Sequence, residues 1–424
     1  MKRIQFKVFG IFAVLVCGLC MSCQKKEESK SAFKARLSPD TKCRISIAGN
    51  YKNFEALEAE FDRFNEFYPE IELTYSYLDN YRTIIKSALS SGAAPDIYMT
   101  FPWMLDWEEY KILLDCAENL DDKKRTGIDL SALRSELVCR TKDGKVPMVP
   151  VLSGSYGMLV NEDLFKKEGI KIPGNYKELI DACSGLKAAG YKSPVMVYVD
   201  NFMGLPVIYS YFCKSILNKP DAVESLNSLK PDAGKYLRPA LERVQDFMQG
   251  GFIDLEECRL IKDKYNAVIM RFFEGDVPVM LCDADTVSGT LKRESQSQAF
   301  SASPFKYSFY TFPASDEGSD FVNSVAVGFS VNKNSANLQA VNEFMRFLVR
   351  TEELNNLAKI KRLITASKDY SFDEIYSPLS ASTPLYLNEL GLVDTANEQM
   401  RKAVYQVMLG NMSVDEAASF YGKF

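Results

Sequence analysis

From residue 43 the chain alternates short apolar runs with longer amphipathic stretches, which predicts strands and helices in turn. Residues 43–48 alternate as a strand does, and Gly49-Asn50 breaks the run at its carboxyl end. Phe54, Leu57, Phe61 and Phe64 then recur at spacings of three and four, one face of a helix. Tyr68-Pro69 ends it, and 71–75 reads as a second strand. Strand, helix and strand in that order predict a parallel pair. A helix over 81–90 leads through Ser91-Gly92-Ala93-Ala94-Pro95-Asp96 into a third strand, with Thr100-Phe101-Pro102-Trp103 at its carboxyl end. The predicted class is α/β, and open α/β sheets bind ligands outside such ends.

The chain is organised around 147–191. Residues 147–152 form an apolar run with Pro at positions 147 and 150, which suits a short buried strand. Ser153-Gly154-Ser155 breaks it, and a second extended segment follows over 156–160. Asn161 is placed to cap the next helix, because its side-chain oxygen can accept an otherwise unpaired N–H. Gly169 ends that helix. Asn175 caps another over 176–189, with Leu179, Ala182, Cys183 and Leu186 on its apolar face.

Further on, 195–199 reads as a buried strand, 204–249 as largely helical, and 262–273 as a helix before a strand over 277–280. Asp283, Asp285 and Thr286 follow that strand, with Asp285 in position to cap a helix. Strands are predicted over 309–313 and 321–331, separated by a turn at 315–319. Leu338, Val341, Phe344, Met345 and Leu348 mark an amphipathic helix. Residues 399–424 read as two helices, the second opened by a Ser413/Glu416 capping box.

Several of these stretches, taken together, resemble the sugar-type extracellular solute-binding proteins of bacterial ABC importers, the family that includes maltose-binding protein. The similar residues are Val149-Pro150, Asn161-Glu162-Asp163-Leu164-Phe165, Gly169-Ile170 and Pro173, then Gly92 with Pro95-Asp96-Ile97, then Phe272 to Met280, and the helix over 335–349. The sequence departs from the family where Val160 replaces a Tyr, and where Ala284 and Thr286 replace a Gly and a Trp. The resemblance implies a two-lobed periplasmic-binding-protein fold of type II, its lobes joined by hinge crossings near 151–155, near 323–325 and soon after Lys361. The expected division is a first lobe over 42–151 with a return over 325–364, and a second lobe over 152–324 with a helical carboxyl end over 365–424. It implies a carbohydrate ligand in the cleft, with Phe101, Trp103 or Tyr156 stacking on it. Asn50, Asp283 and Thr286 would bind hydroxyls, and Tyr51 stands beside Asn50. Asn161 matches a family position but is better explained as a cap. A peptide, a polyol or a modified sugar would suit the scaffold as well.

Composition narrows the alternatives. The chain has 424 residues, 46% hydrophobic and 25% charged, which favours two lobes over one core. A net charge of −5 gives no basic footprint for nucleic acid. With no histidine there is no Ser-His-Asp or Cys-His pair and no His-containing zinc site. No cofactor or metal is expected, nor catalysis. A carboxylate glycosidase needs two facing acids, and no second acid is nominated beside Asp283. A surface lipoprotein used for sensing or adhesion would share every feature read so far.

The first residues read as a targeting segment. Lys2, Arg3 and Lys7 precede an apolar run over 8–21, too short to span a bilayer comfortably. Leu19-Cys20-Met21-Ser22-Cys23 resembles a bacterial lipoprotein signal, so 1–22 is expected to be removed and Cys23 lipidated. Residues 23–41 read as a flexible tether to the membrane. The expected product is an exported, membrane-anchored monomer on the periplasmic or outer face, serving an ABC permease. Seven cysteines remain beyond Cys23, an odd number without a close cluster, and packing explains Cys116 and Cys183 better than disulfides do.

Overall fold

Three parallel strands begin the fold, as the alternation predicts. In the computed structural model, which describes residues 33–198, 206–261, 267–369 and 372–424, β1 (Cys43–Gly49) lies between β2 (Ile71–Tyr77) and β3 (Ile97–Thr100). The helices Glu55–Asn65 and Tyr81–Ser91 make the crossovers. Phe61 and Phe64 meet Phe344 edge-on at 5.7 and 5.2 Å, where the helix Leu338–Leu348 packs against the first of them. Each buried phenyl contributes roughly 2–3 kcal/mol.

The central strand is longer than predicted. β4 runs unbroken over Val149–Asn161, so Ser153-Gly154-Ser155 does not separate two strands. The remaining strands are β5 (Val195–Val197), β6 (Val279–Asp283), β7 (Tyr307–Thr311), β8 (Asp320–Val331), β9 (Ile364–Thr365) and β10 (Thr383–Tyr386). The order along the sheet is β2-β1-β3-β8-β4-β6-β5, with β10 on β8 and with β7 and β9 on β4. Up to Ser155, β4 pairs with β8 and β9; from Tyr156 onward it pairs with β6 and β7. The small polar residues lie at this change of partner. Their backbone bonds are satisfied by β8 and β9, so the strand continues through them.

That change of partner divides the molecule into two lobes. One is built on β1, β2 and β3, the other on β5, β6 and β7, and β4 and β8 run through both. The three predicted crossings lie side by side: Ser153 opposes Val325 and Ile364, Gly154 opposes Ser324, and Ser155 opposes Asn323. Buried beneath them is Arg134, which the sequence reading did not single out. Its guanidinium donates to Asn323 Oδ1 at 3.1 Å, to Ser153 Oγ at 2.9 Å and to the Thr365 carbonyl. Asn323 Nδ2 donates in turn to Ser153 Oγ and to the Gly154 carbonyl. Burial pulls the Arg134 pKa down to about 10, so it remains a cation at neutral pH.

Local signals hold well. Asn161 and Asn175 accept the N–H groups of Leu164 and Glu178 at 3.1 and 2.9 Å. Gly169 takes φ +66° after the helix Glu162–Lys167. The capping box of Ser413 and Glu416 is formed. The expected tether is shorter at its carboxyl end, because the N–H groups of Arg36 and Leu37 both reach Tyr68 Oη, and Arg36 N–H also reaches Glu343. Residues Ala35–Phe424 form one compact unit. Cys23, the targeting segment and most of the tether lie outside the described residues, as do parts of the predicted strand over 195–199 and helix over 262–273. The described cysteines form no disulfide.

Candidate functional site

The carboxyl ends of β1, β2 and β3 point the same way and bring their following loops to one rim. Gly49 packs closely there: a Cβ would come within 2.5 Å of Met99 Sδ and 2.7 Å of Tyr75 Oη. Asn50 follows and is exposed. Tyr51 is held through its backbone, since its N–H donates to Tyr75 Oη at 3.1 Å and its carbonyl accepts from the same hydroxyl at 2.9 Å. Past β3, Phe101 and Trp103 are half-buried and nearly parallel, with centroids 6.0 Å apart and planes at 8°. Tyr110 meets Trp103 edge-on at 5.3 Å, and the Arg82 guanidinium lies 4.1 Å over the indole. Trp103 is therefore supported as part of an aromatic cluster, with a cation on it.

The other lobe presents Tyr156, the first β4 residue beyond the change of partner, directly opposite Asp283 on β6. Here the structure corrects the sequence reading. Asp283, not Asp285, caps the helix Ala284–Ser288: its Oδ1 accepts from Thr286 N–H at 2.8 Å and from Thr286 Oγ1 at 2.7 Å. Thr286 is only 1% exposed and its hydroxyl is committed to that bond. Asp283 and Thr286, expected to bind ligand hydroxyls, hold this helix in place. The helix then directs Asp285, whose Oδ1 accepts from Tyr51 Oη at 3.3 Å across the lobes.

Lys361 completes this meeting point and was missed as a site residue. Its Nζ stands 4.2 Å over the Tyr51 ring. Burial pulls its ammonium below the usual lysine range, against the pull of Asp285 and Glu55. Its only sequence signal was a place just before the third crossing. Tyr51, Asp285 and Lys361 thus come together from three separate parts of the chain. Phe101 and Trp103 form a second cluster on the first lobe, and Tyr156 and Asp283 a third on the other. Among the described residues no cluster of three His, Cys, Asp or Glu could hold a metal, and no helix is long and apolar enough to cross a membrane. A cavity of about 780 Å³ opens elsewhere, beside β7, lined by Glu162, Lys214, Lys306, Tyr310 and Ser382 among others. None of the candidate residues lines it, so it is not the space between the lobes.

With the geometry in place, comparison with known proteins identifies the pattern. Residues 48–233 match the bacterial extracellular solute-binding proteins. This is the family that the motifs resemble. The Multiple sugar-binding protein of Streptococcus mutans is 24% identical over 190 residues, 43% of this chain and 42% of that protein, so the match spans less than half the length of that relative. Among solved structures, the binding protein MsmE of Bacillus subtilis, in an open conformation, superposes with a TM-score of 0.68 at 14% identity over 90% of this chain and 96% of its own. RafE of Streptococcus pneumoniae, in its apo form, gives 0.69 at 17% identity over 92% and 99%. RafE in complex with raffinose gives 0.69 at 17% identity over 90% and 99%. At these identities the structural likeness shows the fold: the two-lobed type II arrangement of solute-binding proteins.

Proposed function

We propose that this chain is the solute receptor of a bacterial ABC importer, capturing a carbohydrate or related small solute between its lobes without transforming it. The carrying observation is the contact of Tyr51 with Asp285, one residue from each lobe, beside the chain's third crossing at Lys361 and Ile364. A solute seated there touches both lobes at once. It then favours the closed form through its greater affinity for that form. Phe101, Trp103 and Tyr156 supply the ring faces; Asn50, Tyr51 and Asp285 supply the polar partners, with Asp283 and Thr286 behind them. The lobes are 42–151 with 325–364, and 152–324 with 365–424. The receptor works as a monomer, tethered through a lipid on Cys23, and hands its cargo to the permease. The sugar named in the Streptococcus mutans relative and the raffinose bound to RafE support the carbohydrate class. A net charge of −5 offers nucleic acid nothing.

A melting screen of the exported chain against sugars, polyols and short peptides tests the reading. A true solute at one hundred times its Kd should add about 2.7 kcal/mol. Trp103→Ala should weaken that solute roughly tenfold, about 1.4 kcal/mol. If no solute raises the melting point and Trp103→Ala has no effect, the receptor reading fails. The anchor is tested separately. Mass spectrometry of the membrane-extracted protein should find a diacylglyceryl group on Cys23, and an unmodified mature chain would remove the anchor from the proposal.

A further inference from the structure

The turn that carries Phe101 and Trp103 continues into another of the contacts between the lobes, beside that of Asn388 with the Leu137 carbonyl. Trp107 Nε1 donates to Asp394 Oδ2 at 3.1 Å, and the backbone N–H of Asp394 donates to Asp106 Oδ2 at 3.1 Å. The two bonds are reciprocal, like a capping box whose halves lie 288 residues apart. Asp394 opens the helix Asp394–Met408, which packs against Arg238–Gln249 and Val414–Ser419 in the second lobe. Its own cap position is Val393, which has no side-chain acceptor. Asp106, from the first lobe, supplies the side-chain acceptor that the cap position of this helix lacks.

The second lobe holds Asp394 ready for this contact. Val393 N–H donates to Asn227 Oδ1 at 3.0 Å, and Asn227 Nδ2 donates to the Gly391 carbonyl at 2.7 Å. Arg401 Nη2 lies 3.6 Å from Asp394 Oδ1, leaving Oδ2 to Trp107. Burial, then the nearby Asp394 carboxylate, raise the Asp106 pKa, while the bond from Asp394 N–H opposes that rise.

We propose that Asp106, Trp107 and Asp394 form a latch that holds the two lobes together in the absence of solute and so sets the apparent affinity of the receptor. The proposal rests on the receptor reading, since a latch between lobes matters only if the lobes move. A binding-competent form that is already populated lowers the apparent dissociation constant in proportion to its population. Two such bonds shift that population by about tenfold or more.

Small-angle X-ray scattering of the solute-free purified chain tests it, with Trp107→Phe and Asp106→Ala measured beside the wild type. Trp107→Phe keeps the ring and removes the donor. Asp106→Ala removes the carboxylate that accepts the Asp394 N–H. Each variant should show a larger radius of gyration than the wild type at an unchanged circular dichroism spectrum. For any sugar found by the melting screen, each should bind about tenfold more weakly, through faster release. Scattering curves that superpose for wild type and both variants would overturn the latch. If one variant does not fold, the other decides, because each removes a different bond. The scattering measurement needs no solute, so its failure would leave solute capture to be judged by the melting screen alone.

Discussion

Arg134→Ala should lower the unfolding free energy by about 3 kcal/mol, more than any surface substitution in this chain. The guanidinium bonds three segments at once, β8 through Asn323, β4 through Ser153 and β9 through Thr365. Hydrogen bonds to a charged donor are each worth about 1.5–3 kcal/mol, and acceptors left buried without a donor carry a further cost. Against this stands the relief of burying a cation, which the lowered Arg134 pKa reflects. Three lost bonds and a void outweigh that relief. Arg134→Lys should recover only part of the loss, because an ammonium on a single stem does not reproduce the planar fork that spans the strands. Urea unfolding measures both variants, and a loss below about 1 kcal/mol for Arg134→Ala would show that Arg134 is not what ties the crossings together.

Glu60→Gln should stabilise the protein at pH 8 by on the order of 2–3 kcal/mol and do little at pH 4.5. Glu60 lies fully buried on the helix Glu55–Asn65, against the helix Thr351–Lys361. Burial raises its pKa to about 7; the bond from Asn356 and the charge of Arg63 oppose that rise, while Glu353 adds to it. Glu353 is raised as well, chiefly by burial, in spite of Arg350 and Arg63. A carboxyl whose folded pKa exceeds its unfolded value contributes stability in full below the unfolded value near 4.5. It loses that contribution as the pH rises through about 7. Gln cannot ionise and still offers an oxygen to Asn356 Nδ2, which donates to Glu60 at 2.6 Å. Arg63 keeps Glu352 and Glu353, each at 3.2 Å. The measurement is the difference in unfolding free energy between variant and wild type at the two pH values, which cancels the titrating groups that are not coupled to Glu60. An equal gain at both would mean that ionisation of Glu60 is not its cause.

The proposed solute site, Arg134 and Glu60 lie in different layers of the same molecule. Arg134 joins the strands that pass between the lobes. Glu60 lies between two helices of the first lobe, one of which ends at Lys361, beside the Tyr51 ring. The helix that presents Asp285 is held by Asp283 and Thr286. Changes at these supporting positions should act on solute capture through the placement of Tyr51, Asp285 and Lys361, without touching the solute.

What the sequence determined by itself was local. The spacing of Phe54, Leu57, Phe61 and Phe64 gave the first helix its buried face, and the order of strand and helix gave a parallel start. Asn161, Asn175 and Ser413 marked helix starts because a cap bonds to an N–H two or three residues away, within reach of any reading along the chain. Short motifs in a consistent order led to the family resemblance and, through it, to the three crossings. Tertiary structure decided the rest. Whether 153–155 breaks a strand depended on β8 and β9, which supply partners about 170 and 210 residues later. Asp283 and Asp285 are equivalent in spacing, and only the direction in which β6 delivers the chain made the first a cap and the second the partner of Tyr51. Lys361, Arg134 and Trp107 gave no pattern of their own, because their partners stand far off in sequence and come near only when the lobes pack.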